Sequence, residues 1–254
     1  MAIVDADIVV YGSGSGLPDD DTPTQIGGAI NTAIEVVFTD IDPAGTVEAL
    51  SDGADTRNLT ITYLDAAGVQ GSEVQALNGT GVVSFSASMA VILKAVLASG
   101  SASRTVTIRK SSAGATLITL KVNRTEVRRI FYNCRANPDG GATKTYYEKV
   151  FVKNENGASD GTSAQVVEQA DPSGNVTFAL ETTLDGTGDN GVGNNRQVAP
   201  TSGIGSFDSA TKNVANSGVF THAKAQGLWL KLTLAGGTVP AETSWTLRLS
   251  LVSA

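Results

Sequence analysis

Leu228-Trp-Leu-Lys-Leu-Thr-Leu234 and Trp245-Thr-Leu-Arg-Leu-Ser-Leu251 decide the fold class, because in both an apolar side chain returns at every second position. Period two is the spacing that a pleated strand gives to one of its faces. In the first run Leu228, Leu230, Leu232 and Leu234 oppose Trp229, Lys231 and Thr233. In the second, Trp245, Leu247, Leu249 and Leu251 oppose Thr246, Arg248 and Ser250. Each reads as a half-buried strand with a solvated outer face, and Gly236-Gly-Thr-Val-Pro240 between them has turn composition.

The same alternation recurs upstream. Leu59, Ile61 and Tyr63 alternate with Asn58, Thr60 and Thr62; Val106 and Ile108 with Thr105, Thr107 and Arg109; Ile118, Leu120 and Val122 with Thr119 and Lys121. The last two runs, joined by Ser111-Ser-Ala-Gly114, predict a hairpin. Met89-Ala-Val-Ile-Leu-Lys-Ala-Val-Leu97 is apolar almost throughout, which suits a buried strand or two turns of helix, and is read as a strand. No helical pattern is long enough to connect parallel strands, so the chain is expected to be all-β with antiparallel sheets.

The 254 residues divide into an extended N-terminal arm over 1–33, a β-sandwich over 34–125 and a second β-sandwich over 126–254. The arm concentrates breakers and like charges: Gly12-Ser-Gly-Ser-Gly16, Pro18-Asp-Asp-Asp-Thr-Pro23 and Gly27-Gly28. Within it Ile8, Val9, Val10 and Tyr11 can form a strand, and these four are the candidate partner-binding residues, adding to an exposed sheet edge of a neighbouring subunit. The second sandwich carries a segment, 182–218, rich in Gly, Asn, Asp and Ser and longer than an ordinary loop, hence functional or mobile.

A net charge of −7 argues against nucleic acid as a partner, since phosphate neutralisation needs a basic surface. No run of about 18 apolar residues is present to span a bilayer, and the N-terminus lacks a basic, then apolar, leader. The lone cysteine, Cys134, reads as a small buried hydrophobe, and the lone histidine, His222, as a structural or surface residue outside any hydrolase motif. Gly12, Gly14 and Gly16 are followed by Asp19, Asp20 and Asp21, which would repel a phosphate. Sequons begin at Asn58, Asn78, Asn123 and Asn175 and carry little weight without a leader.

Two acidic clusters invite comparison with calcium loops, Asp19–Asp21 and Asp185-Gly-Thr-Gly-Asp-Asn-Gly191. The second has Asp185, Asp189 and Asn190 among glycines but no closing bidentate Glu, so it is read as a solvated turn, with calcium as the alternative. No metal, cofactor or catalytic residue is assigned, and the chain is read as non-enzymatic.

Two stretches carry a resemblance. Arg57-Asn-Leu-Thr-Ile-Thr-Tyr-Leu-Asp-Ala-Ala-Gly68 leads into Glu73-Val-Gln-Ala-Leu-Asn-Gly-Thr80, and Tyr146-Tyr-Glu-Lys-Val-Phe-Val-Lys-Asn154 leads into Ala170-Asp-Pro-Ser-Gly174 and Val176-Thr-Phe-Ala-Leu180. Both resemble segments of structural proteins of tailed-bacteriophage virions. The resemblance implies Ig-like or jelly-roll-like sandwiches and a capsid decoration (cement) protein that binds the major capsid protein or other virion proteins. It also implies synthesis in the host cytoplasm, a place in the virion and homo-oligomeric association, for which a trimer is the guess. The rivals are a tail-tube, connector or fibre component, and a carbohydrate- or receptor-binding module using the 182–218 loop.

Overall fold

A computed structural model describes residues 2–14, 25–36, 40–131, 134, 141–171, 173–237 and 245–253. Among them the chain is all-β, with several sheets, no α-helix and a single 3-10 turn at Asp5–Asp7. The strands are β1 (Ile8–Ser13), β2 (Ile30–Val36), β3 (Asp40–Gly45), β4 (Val47–Ser51), β5 (Asn58–Leu64), β6 (Gln70–Ala76), β7 (Val83–Ser84), β8 (Met89–Leu97) and β9 (Val106–Lys110). There follow β10 (Thr116–Leu120), β11 (Glu126–Arg128), β12 (Lys144–Asn154), β13 (Gly161–Ala170), β14 (Val176–Leu184), β15 (Lys212–Asn213), β16 (Ala225–Leu234) and β17 (Thr246–Ser253). They form two compact units: Thr32–Ile130, and Met1–Asn31 together with Phe131–Ala254.

In the Thr32–Ile130 unit one sheet runs β2-β11-β8-β5-β6, with β3 also on β8, and the other runs β10-β9-β4-β7. The core is filled from both: Leu59, Ile61, Ala95 and Val127 on the first sheet and Val47, Ala49, Val106, Ile108 and Leu120 on the second are all fully buried. The expected hairpin is present, with Ile108 opposite Ile118 and Val106 opposite Leu120. β8 is a strand, and its continuous apolar run follows from its position, because it pairs with β5 and β11 and buries residues of both parities. At the edge of the first sheet, β6 turns Glu73 inward, where its carboxylate accepts the amides of Ser86 (2.8 Å) and Ala87 (3.0 Å). Burial pushes the Glu73 pKa up, but those amides together with the Gln75 and Ser86 side chains outweigh it and leave it lowered. An inward charge of this kind blunts an edge strand against further pairing.

The other unit contains a sheet in the order β14-β16-β12-β1 and a smaller one in the order β15-β13-β17. Phe178 of β14 meets Trp245, just before β17, with ring centroids 6.2 Å apart, and Gln226 of β16 accepts the Ala215 amide at 2.8 Å, so one face of the larger sheet is packed on the smaller sheet. β17 alternates as expected, partly buried at Leu247, Leu249 and Leu251 and exposed between. β16 departs from expectation: Ala225–Leu230 is buried on both faces, Trp229 completely, because β16 lies between β14 and β12 and its second face is covered as well.

The N-terminal segment also differs from the expected free arm. β1 pairs antiparallel with β12, placing Val10 opposite Val152 and Tyr11 opposite Phe151. Val9 and Tyr11 are buried with Phe151 and Ala225, and the Tyr11 hydroxyl donates to Glu155 at 2.5 Å. Ile8, Val9, Val10 and Tyr11 do add a strand to a sheet, but the sheet is the chain's own, since Phe151 on β12 offers an apolar row that β1 covers. The boundary expected at 125/126 falls at 130/131, because β11 pairs with β2 and β8 and buries Val127 in the Thr32–Ile130 core. Asp19–Asp21 lie outside the described residues.

Tyr11→Ala is expected to lower unfolding free energy by about 3–5 kcal/mol in urea titration, the usual loss for truncating a large buried aromatic. A free arm would leave the midpoint unchanged.

Candidate functional site

The face of the larger sheet turned away from β13 and β17 carries the chain's most unusual side chains. Strand alternation puts Tyr147, Lys149 and Phe151 of β12 on that face, and the pairing register sets Lys149 opposite Trp229 and Trp229 opposite Ala179. Two residues beyond Ala179, Glu181 shares the face. Residues 25–28 and the long segment after β14 close over it. The Ile26 amide donates to the Asn190 side chain at 2.9 Å, the Asn190 amide to the Ile26 carbonyl at 3.2 Å, and the Gly28 amide to the Gly188 carbonyl at 2.9 Å. The same segment bonds along the outer edge of β14, through Gly205 to Leu180 (2.9 Å) and Thr182 to Gly203 (3.0 Å).

Beneath this cover the Lys149 ammonium donates to Glu181 Oε1 (2.7 Å) and to the carbonyls of Gly28 (2.7 Å), Gly188 (3.0 Å) and Gly186 (3.1 Å). The Lys149 and Glu181 side chains are 0% and 1% exposed. The rings of Phe151 and Trp229 lie 4.6 and 5.7 Å from the ammonium. Burying two charges costs several kcal/mol per ion unless polar contacts replace the lost hydration. One carboxylate and three carbonyl dipoles do so for the ammonium, and Glu181 Oε1 also accepts the Gly188 amide at 2.9 Å, while Glu181 Oε2 is buried without a hydrogen-bond partner among the described residues. Burial still pulls the Lys149 pKa below the ordinary lysine value, against the opposing pull of Glu181 and Asp189.

Glycine is required around the pair for lack of space. A Cβ on Gly186 or Gly227 would run into the Glu181 carboxylate, one on Gly188 would come within 2.7 Å of it, and one on Gly27 would lie 2.8 Å from the Trp229 ring. Chemically the ammonium occupies an oxygen cage of the kind a bound cation would fill. The lysine is therefore the cation of this cage, and all its donors are spent within the chain.

Residues 185–191, expected as a solvated turn or a calcium loop, form the cap of this cage. Asp185 pairs with Lys224 (2.8 Å) and accepts the Ala225 amide (2.9 Å), and Asp189 accepts the Gly191 amide (2.8 Å). Asn190 is fully buried and also donates to the carbonyls of Asn195 (2.6 Å) and Val198 (3.4 Å). No group of three or more His, Cys, Asp or Glu able to hold a metal occurs among the described residues. Lys149 and Glu181 were missed in the sequence reading, although a signal was there: Lys149 shares the parity of Tyr147 and Phe151, a cation between two aromatic rings.

The remaining candidates lie elsewhere. His222 meets Asp160 at 2.6 Å with both side chains well exposed, and the carboxyl is held below its ordinary value by the His222 amide and ring. Trp229 is buried against Ile26 and Ala179, and the Trp245 indole donates to Glu168 at 3.1 Å, so neither stands free as a sugar-stacking platform. Cys134 is half-buried. A cavity of about 500 Å³ lies at the β5–β6 turn beside Tyr63 and Asp65, in the other unit. The chain matches no protein-family model, no curated protein and no solved structure.

Lys149→Met should cost about 3–5 kcal/mol by strand-ing a buried carboxylate, whereas Lys149→Met/Glu181→Leu should recover most of that loss. Urea titration of both variants checks this, and a double variant no better than the single one would refute a charge-based role. On the same cover, Asp208 is pulled from 3.8 to about 2 by Lys212, with Ser206 and the Ala210 amide adding to it. Its folded value lies below its unfolded one, so its contribution is present above about pH 4 and is lost as pH falls through 2. Asp208→Asn should therefore lower stability at neutral pH and leave it unchanged near pH 2, as read by thermal melts at the two pH values.

Proposed function

We propose that this chain is a non-enzymatic structural component of a tailed-phage virion, a decoration or cement protein that binds the assembled shell through its major capsid protein. The observation that carries the reading is the closure of the Lys149–Glu181 site: its most reactive-looking charges are sealed, and the ammonium's donors are used to fix the chain's own surface segment. An enzyme needs such groups exposed to substrate, whereas a shell component needs self-contained rigid units. The all-β architecture is compatible with the Ig-like sandwich modules that the Tyr146–Asn154 and Arg57–Thr80 resemblances imply, and both units are read as such modules. Its place is then the virion, after synthesis in the host cytoplasm, with other copies of the chain and shell subunits as partners.

Quantitative mass spectrometry of purified particles tests this directly. Hundreds of copies in near-integer ratio to the major shell protein are expected. Six to twelve copies would replace the decoration role with a connector, and absence from the particle would overturn the virion assignment.

A further inference from the structure

Strand edges in this chain are unequally protected. The outer edge of β14 is bonded by the segment that follows it, and the β6 edge carries the inward Glu73. β10 is only five residues long and is interrupted by a bulge against β9. β17 has none of these devices among the described residues. It is eight residues long and pairs with β13 alone.

The irregularities in the β13–β17 ladder fall between Thr162 and Gln165 and between Glu168 and Ala170. In both, the extra residue belongs to β13, so β17 runs unbroken. Apart from the Val252 carbonyl, which accepts the Thr162 hydroxyl at 3.3 Å, its backbone groups show no bond outside that ladder among the described residues. Its sequence has high β-propensity, Leu247, Leu249 and Leu251 are only partly buried, and Val252 is 61% exposed. A long, regular, apolar edge is a template for another strand.

We infer that β17 pairs antiparallel with β17 of a second copy of this chain across a twofold axis. Charge selects this occupant. Two copies with a net charge of −7 repel over most of their surfaces, but residues 245–253 carry no acid and a single cation, Arg248. An axis through Leu249 sets Arg248 opposite the partner's Ser250 and Leu247 opposite the partner's Leu251, so no like charges meet and the leucine rows become continuous. A twofold contact of this kind is self-complementary. It gives a dimer in place of the trimer guessed from the resemblance, and it stands or falls independently of the virion role.

Sedimentation analysis of the full chain at micromolar concentration, with hydrogen exchange read in parallel, tests the pairing. Twice the chain mass is expected, with protection of 246–253 rising as concentration rises. Thr246→Lys/Ser250→Lys places a cation at 250 opposite the partner's Arg248 and a second at 246, diagonal to the partner's lysine at 250, and should give a monomer whose melting temperature no longer depends on concentration. A monomeric wild type, a dimer indifferent to the two lysines, or protection of this edge only when a different protein is added would each overturn the inference.

Discussion

A lysine ammonium buried in oxygen is the constraint around which the larger sheet's covered face is organised. Lys149 sits on a central strand, where alternation gives it no route to solvent, so either its charge finds partners or the strand cannot take this register. The partners come from three separate places in the chain: Glu181 on β14, Gly28 near the N-terminus, and Gly186 and Gly188 after β14. Each must present an oxygen at close range; a Cβ on Gly186, Gly188 or Gly227 would run into the Glu181 carboxylate, whereas Gly28 has room for one and is set apart by its positive φ of 80°. The segment that reads as the least structured part of the sequence is thereby held by the most demanding electrostatic requirement in the molecule. Apolar packing completes the arrangement, with Ile26, Ala179 and Trp229 closing one side.

Much of the fold is legible in the residues. Period two at 58–63 and 105–109 becomes β5 and β9, the run at 118–122 becomes β10 only as far as Leu120, with Val122 exposed in the turn beyond it, and the apolar run at 89–97 is a strand because it is central in its sheet. The failures have physical causes. Leu228–Leu234 looks half-buried because Lys231 and Thr233 accompany the leucines, but Trp229 has the same parity, and a cover contributed by distant residues buries it. Ile8–Tyr11 is visible as a strand, but its partner is β12, more than 130 residues away in sequence, and no local pattern encodes that choice. The candidate site was the least visible part, because its oxygens are mostly backbone carbonyls, which every residue possesses and only the fold can aim. The glycines of 185–191 read as those of a solvated turn or a calcium loop, whereas Gly186 and Gly188 reflect lack of space beside the Glu181 carboxylate.

The arrangement favours rigidity over access. In one unit two sheets enclose a core drawn evenly from both, and in the other a sheet is packed on one face and capped on the second. Charged residues serve these ends repeatedly: Glu73 holds the backbone beside an edge strand, Glu48 accepts Arg109 at 2.7 Å and the Ala113 amide at 2.9 Å across the hairpin turn, and Lys149 anchors the cap.

Native-state hydrogen exchange of residues 186–205 measures the central claim most directly. The amides of Gly188, bonded to Glu181, of Asn190, bonded to Ile26, and of Gly205, bonded to Leu180, should exchange slowly, with protection approaching that of β12 and β16. Exchange of these amides at the rate of an open loop, while β12 and β16 remain protected, would contradict a cover locked by the buried lysine.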